Sequence, residues 1–438
     1  MEAIASNDDS RGPDAYLRFQ APAEGDFYFG VWDHLRRGQA TFVYRVEVDR
    51  PAPSLAVEIP RSVQYSQERQ TIVVPRGNRF GTLISVVRNN FGGEIALAEN
   101  TLPAGVRAVA KTMPGNMTLM PVVFEADENA ELSGRLVEFS ARTVDPAQNI
   151  VGRFGNLADF VLGEPNNALY YGCTIDRVAA AVVDKLPFKL DIVPPTAPLV
   201  RNGSLQIKIV ATRDPGFDAP IQVQFPFRPP GVGTTGAITI PQGQTEAFYP
   251  VNADGGAPPG QWPIFVIGTA DINGPAWVSS QLAEMEIAVP FVTFEINRTA
   301  CEQGQSVQVL CKLNHQAPFD GEAKAELLGL PAGVTAEPKS FNKDSTELVF
   351  DLVTTAASPA GNHKTLFAQV TVPRGDQSSV ANAGGSEFQI NTPIVKTEMP
   401  AQPAPAAQAA PTPPPAKPLS RLEQLRQTKS AGKQTPQP

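Results

Sequence analysis

The stretch Phe319-Asp320-Gly321-Glu322-Ala323, continued by Leu330-Pro331-Ala332-Gly333-Val334, returns in altered form at two earlier places in the chain. One version runs from Phe91-Gly92-Gly93-Glu94-Ile95 to Leu102-Pro103-Ala104-Gly105-Val106. The other runs from Phe217-Asp218-Ala219-Pro220-Ile221 to Pro229-Pro230-Gly231-Val232. Positions 91 and 106, 217 and 232, and 319 and 334 are each fifteen residues apart. Self-similarity at fixed spacing marks repeated units. In each version the Phe suits a core plug at a strand end. The Pro-Gly pair suits a corner, since Pro fixes φ and Gly admits a backbone that other residues resist.

Strand signals surround each corner. Leu205, Ile207, Ile209 and Ala211 alternate with less apolar neighbours, and Val307, Val309, Cys311 and Leu313 do the same at matching offsets. Alternation with period two marks a half-buried strand. Leu83 to Val87 is apolar throughout, without a clear phase. Downstream lie further runs: Met117–Ala126 and Leu136–Thr143, Thr245–Val251 and Ile264–Thr269, Leu348–Thr354 and Leu366–Val372. Pro187-Phe188-Lys189-Leu190 corresponds to Pro290-Phe291-Val292-Thr293 at the start of a unit. Short strands with turns about every ten residues predict an all-β chain of tandem antiparallel, immunoglobulin-like β-sandwich domains. The expected boundaries are 51–186, 187–289 and 290–395, after a segment 1–50 and before a tail 396–438.

Composition agrees with this reading. The chain has 438 residues, too many for one core, with 43 Pro and 35 Gly, which short strands and turns absorb better than helices do. A net charge of −8 argues against a nucleic-acid partner, which would require a basic footprint. No run reaches the roughly 20 apolar residues of a membrane helix. The opening MEAIASNDDSRG lacks the basic-then-apolar layout of a signal peptide.

Catalytic and metal chemistry find no footing in the sequence. His34 falls in the opening segment, His315 and His363 lie forty-eight residues apart in the 290–395 unit, and neither an HExxH motif nor a Cys/His metal spacing occurs. No GxSxG elbow, P-loop or dinucleotide fingerprint occurs either. Asp8, Asp9 and Asp14 lack the spacing of an EF-hand loop. The chain is therefore expected to be no enzyme, with no catalytic, metal-binding or cofactor-binding residues. Asn116, Asn202 and Asn297 head glycosylation sequons that read as chance. Cys311 reads as a core thiol. If the turn Glu302-Gln303-Gly304 closes a hairpin, bridging Cys301 to Cys311 would strain the backbone, so free thiols are expected.

Three segments stand outside the repeat. Residues 151–174 form an insertion in the first unit. Its Phe154, Phe160, Tyr170 and Tyr171 are candidates to line a surface groove, with cover for a sandwich edge as the alternative and favoured role. From Glu398 to Pro418 the chain is Pro- and Ala-rich, as in a disordered linker. Ser420 and Glu423 then have capping-box spacing for a short basic helix, the alternative being a solvated tail. Between Tyr16 and Val48, Phe27, Phe29 and Val31 alternate with Tyr28 and Trp32 and read as core strands, with Arg36-Arg37 in a solvated turn.

Two resemblances add to this. Gly329-Leu330-Pro331-Ala332-Gly333-Val334, followed by Ser358-Pro359-Ala360-Gly361, resembles the immunoglobulin-like repeats of secreted bacterial proteins, across residues 51 to 395. Asn7-Asp8-Asp9, Asp14 to Tyr28 and Tyr44-Arg45-Val46-Glu47-Val48 resemble the second half of a bacterial pre-peptidase C-terminal domain, a small β-sandwich appended to exported proteins. The early strands of that family should precede Asn7, so the resemblance implies a gene extending upstream with those strands and a secretion signal. Together the two imply a non-catalytic scaffold or interaction protein, extracellular, on the cell surface or in the periplasm. Its expected partners are a cell-envelope protein or a polysaccharide. The alternatives are the accessory region of an exported peptidase encoded upstream, or a polysaccharide-binding module.

Limited proteolysis should cut first after Val395, where no apolar area can be buried, and next within 151–174. A primary cut between Leu205 and Ala211, mapped by mass spectrometry, would contradict the strand there.

Overall fold

The computed structural model describes residues 4–8, 15–33, 35–60, 70–98, 101–164, 168–393 and Arg421. Three tandem β-sandwich domains fill the span from Ser54 to Asn391. The Pro/Ala-rich tail and the short helix expected after it lie outside the described residues, apart from Arg421.

One pairing rule recurs in all three domains. The entry strand begins antiparallel to its successor in one sheet, then the chain crosses and runs parallel to the closing strand in the other. Ser54–Glu58 pairs with Arg79–Asn89, and Thr71–Pro75 with Val178–Val183. In the second domain Phe188–Ile192 pairs with Gly203–Arg213, and Leu199–Val200 with Ala283–Ala288. In the third, Val292–Ile296 pairs with Ser306–His315, and Thr299–Glu302 with Gln377–Asn391. The entry strand thus ties both sheets together around one core, as an immunoglobulin-like sandwich requires. The turn Glu302-Gln303-Gly304 therefore closes no hairpin: it carries the chain from one sheet to the other, so Cys301 and Cys311 lie on strands that do not pair.

The alternating residues face inward. Leu205, Ile207, Ile209 and Ala211 are buried in the second core, and Val309, Cys311 and Leu313 in the third. Phe319 is buried in the third core, while Phe217 and Phe91 pack against the second and first. The corner is the same turn three times. Gly105, Gly231 and Gly333 take φ of 75°, 74° and 74°. The amides of Val106, Val232 and Val334 donate to the carbonyls of Pro103, Pro229 and Pro331 at 3.1, 3.0 and 3.1 Å. The glycine is needed for a second reason, because each corner presses on a later loop of its own domain. A Cβ on Gly333 would lie 2.6 Å from Thr355 Oγ1, and one on Gly231 2.7 Å from an Asp254 carboxylate oxygen. Asp127 and Asp254 donate their amides to the carbonyls of Gly105 and Gly231, both at 2.9 Å. In the third domain the Ser358 hydroxyl donates to Gly333 at 3.0 Å instead.

The domains are joined by packing as well as by chain. Between the first and second, Phe265 is fully buried and belongs, with Phe227, to the first domain's core. Gly81 makes room for it: a Cβ there would lie 2.4 Å from the Phe265 ring. Around this contact the Asn78 amide donates to the Phe188 carbonyl at 2.8 Å, and Arg79 reaches Asp191 at 2.8 Å and Glu125 at 3.2 Å. Between the second and third, one sheet runs through. Gly203 pairs with Ala381 and Ser204 with Val380, so strands of both domains share a nine-stranded sheet. Val200 lies in the third domain's core, and the Ser379 hydroxyl donates to the Pro198 carbonyl at 2.7 Å.

The segment before Ser54 departs from expectation. No strand forms among its described residues, and Phe27, Phe29 and Trp32, read as core, are exposed. A strand needs a neighbour for its backbone groups and a face to bury, and no described strand pairs with this segment. Arg37 does sit in a solvated turn, paired with Asp33 at 3.1 Å.

Gly203→Val tests the shared sheet, because a Cβ at this position would lie 2.4 Å from the Val380 carbonyl oxygen. The variant should lose more than about 2 kcal/mol of stability and show separate melting of the second and third domains by calorimetry. One undisturbed transition would contradict the joint.

Candidate interaction site

The closing strand of the first domain is interrupted. Val151–Phe154 belongs to the seven-stranded sheet, and Val178–Val183 resumes in the opposite three-stranded one. Between them Asn156–Gly163 and Ala168–Ile175 form an antiparallel hairpin whose strands, among the described residues, pair only with each other. This corrects the place of Phe154 in the insertion and limits the edge-covering role. Phe154 is buried in the core because Val151–Phe154 alternates outward and inward like its neighbours, so it lines no groove. The hairpin joins neither sheet and so covers no sandwich edge by strand pairing.

Its root is fixed by a side chain. Asn156 is buried, and its amide imitates a strand partner for Ile59: the Ile59 amide donates to Asn156 Oδ1 at 3.0 Å, and Asn156 Nδ2 donates to the Ile59 carbonyl at 2.8 Å. The Gly155 amide donates to Val57 at 2.9 Å. Burying an amide side chain is unfavourable unless its hydrogen bonds are made, so this pair holds the hairpin's base in one place. Sequence reasoning missed Asn156; a lone polar residue between two strand-like runs gave no periodic signal.

Beyond the root the hairpin is open to solvent. Leu157, Phe160, Val161, Tyr170 and Tyr171 are each at least half exposed. An isolated two-stranded hairpin is marginal in water, and its aromatic residues supply local support. Register slips on either side of Val161 bring Phe160 and Tyr171 together, with ring centroids 5.9 Å apart. Tyr170 covers Gly163, whose Cβ would lie 2.5 Å from that ring, and its hydroxyl donates to the Glu164 carbonyl at 2.8 Å. Tyr170 therefore braces the end of the first strand, while Phe160 and Tyr171 present apolar ring surface. Asp159 and Glu164 are the only charged residues from Asn156 to Ile175, and Cys173 on the second strand is an exposed free thiol.

Other sequence candidates come to structural roles. His315 Nε2 lies 2.8 Å from the Ser345 carbonyl and His363 Nε2 2.8 Å from the Pro359 carbonyl; His34, Asp9 and Asp14 lie outside the described residues. Among the described residues no three His, Cys, Asp or Glu side chains group to hold a metal ion, and no helix is long and apolar enough to cross a membrane.

No protein-family model and no curated protein matches the chain. Solved structures with some likeness include the Escherichia coli adhesin FdeC, at 11% identity over 80% of this chain and 100% of that one, with a TM-score of 0.17. The fibronectin(III)-like modules of Clostridium thermocellum CbhA share 12% identity over 46% of this chain and 94% of that one, TM-score 0.19. A Salmonella alpha-2-macroglobulin mutant shares 10% over 78% of this chain and 32% of that one, TM-score 0.24, so the chain spans about a third of its length. Scores of this size carry no argument about function, and the fold rests on the strand pairing described above.

The cysteines give a direct reading of these environments. Burial pushes the Cys311 thiol up to about 12 and raises that of Cys301 as well. Timed alkylation followed by mass spectrometry should label Cys173 first, Cys301 slowly and Cys311 only on unfolding. Unfolding also lets Cys311 ionise near its ordinary value of 9.0. Above that pH the unfolded chain binds fewer protons than the folded one, so stability should fall as pH rises from about 9 toward 12. Early labelling of Cys311 would contradict the packing of the third core.

Proposed function

We propose that this chain is a non-catalytic scaffold, exported or displayed on the cell surface, that holds the 156–175 hairpin in a fixed place for a partner to bind. One observation carries the reading: a hairpin that pairs with neither sheet among the described residues is anchored by a buried Asn156 bonded to both backbone groups of Ile59, and it presents Phe160 and Tyr171 to solvent. Exposed apolar patches rooted on a rigid frame are the usual form of an interaction site. The packed joints between domains support the spacer role, since they fix where the hairpin sits along the array. The exported location rests on the resemblance to repeats of secreted proteins.

Of the two expected partner classes, polysaccharide is the better supported. Aromatic ring faces pack against the C–H faces of sugar rings, and the absence of Lys and Arg between Asn156 and Ile175 suits a neutral polymer better than an acidic one.

Cosedimentation of the full chain with insoluble cell-wall polysaccharide tests this. Wild type should be retained, and F160A/Y171A should bind about tenfold more weakly, a difference of ~1.4 kcal/mol, with an unchanged melting temperature. Equal retention of both would remove the hairpin from the reading. No retention of either would leave a protein as its partner.

A further inference from the structure

The segment Phe42-Val43-Tyr44-Arg45-Val46-Glu47-Val48-Asp49-Arg50 is an amphipathic strand sequence with no partner strand among the described residues. Phe42, Tyr44, Val46 and Val48 fall on one face; Val43, Arg45, Glu47 and Asp49 fall on the other. All five apolar residues are exposed, Val43 almost completely. No backbone hydrogen bond involves Val43 to Arg50 among the described residues. Unpaired backbone beside exposed aromatic and β-branched side chains is a template for another strand.

We propose that this template is filled by a second copy of the same chain, pairing antiparallel through Phe42–Arg50 about a two-fold axis at Val46. The sequence is complementary to itself when centred on Val46, where no like charges meet and Val43 faces Asp49. Centring on Val46 sets Arg45 opposite Glu47 of the other copy, twice. It sets Tyr44 opposite Val48, Phe42 opposite Arg50, and Val46 opposite itself. Opposite charges and aromatic–β-branched pairs are the favourable cross-strand neighbours. Sliding the centre to Arg45 puts Arg opposite Arg, and sliding it to Glu47 puts Glu opposite Glu. A parallel, in-register pairing stacks like on like along the whole strand. A slide by half a step would set apolar residues against the charged face. Within one chain Arg45 and Glu47 already lie 2.5 Å apart, so pairing turns two exposed ion pairs into a four-charge cluster across the axis. The contact is isologous and closes at two copies. A two-stranded ribbon alone is marginal, and the exposed Phe27, Phe29 and Trp32 of each copy are the apolar surface available to cover its open face. This surface is separate from the 156–175 hairpin, and its failure would leave the binding role of that hairpin untouched.

Sedimentation velocity of the full chain should show a concentration-dependent dimer. R45E and E47R, which set like charges opposite each other, should each weaken it by roughly tenfold. The double reversal R45E/E47R restores the pairing and should return the dissociation constant to near wild type. Disulfide trapping reads the register directly. In a C173S background, V46C places one thiol opposite its own copy and should yield a covalent dimer on mild oxidation. V43C, set opposite Asp49, should not. A chain that stays monomeric at high micromolar concentration overturns the proposal. So does a double reversal that fails to restore association, or equal trapping by V43C and V46C.

Discussion

At Gly203 two domains share a backbone ladder, and the architecture of the array depends on that contact. A side chain there would collide with the Val380 carbonyl, so only the bare backbone lets the second domain's sheet run into the third domain's closing strand. Val200 then enters the neighbouring core, and Ser379 binds Pro198 across the boundary. At the other joint Gly81 plays the matching part, admitting Phe265 where any Cβ would block it. Domains in a chain commonly meet through small polar contacts and move relative to one another. Here two glycines remove the bulk that would keep the domains apart.

Much of the fold was legible because its information is local. Period-two alternation placed Leu205 to Ala211 and Val307 to Leu313 with their buried faces, since a strand repeats its environment every second residue. The thrice-repeated corner was legible because Gly105, Gly231 and Gly333 each need the left-handed region and a close approach, which no other residue supplies at so little strain. Contacts distant in sequence left no such trace. Leu199–Val200 is too short to show a period, yet it ties two sheets together. Nothing around Gly81 or Gly203 announces a joint, because the partner atoms lie in another domain.

The candidate site was visible as an insertion with surface aromatics, but Phe154 was wrongly counted among them, and no strand pairing carries the edge-covering role. Phe154 belongs to the sandwich by its alternation, whereas Phe160, Tyr170 and Tyr171 belong to the hairpin; composition alone could not divide them. Asn156, which sets the root, is defined by the two backbone groups of Ile59, ninety-seven residues away. The segment from Tyr16 to Val48 shows the reverse case. Its alternation is genuine, but a periodic sequence specifies a strand only where another strand stands beside it.

The entry and closing strands of each domain lie side by side and parallel, a geometry with a mechanical meaning. A pull along the array drags these two strands in opposite directions, loading their hydrogen bonds in shear, all at once, and not one after another as in an unzipped hairpin. In the third domain four residue pairs, Thr299 to Glu302 against Phe388 to Asn391, share that load; in the second only Leu199 and Val200 do. The second domain is thus the weakest link under tension by its own ladder, and the sheet it shares through Gly203 gives it a second grip on its neighbour.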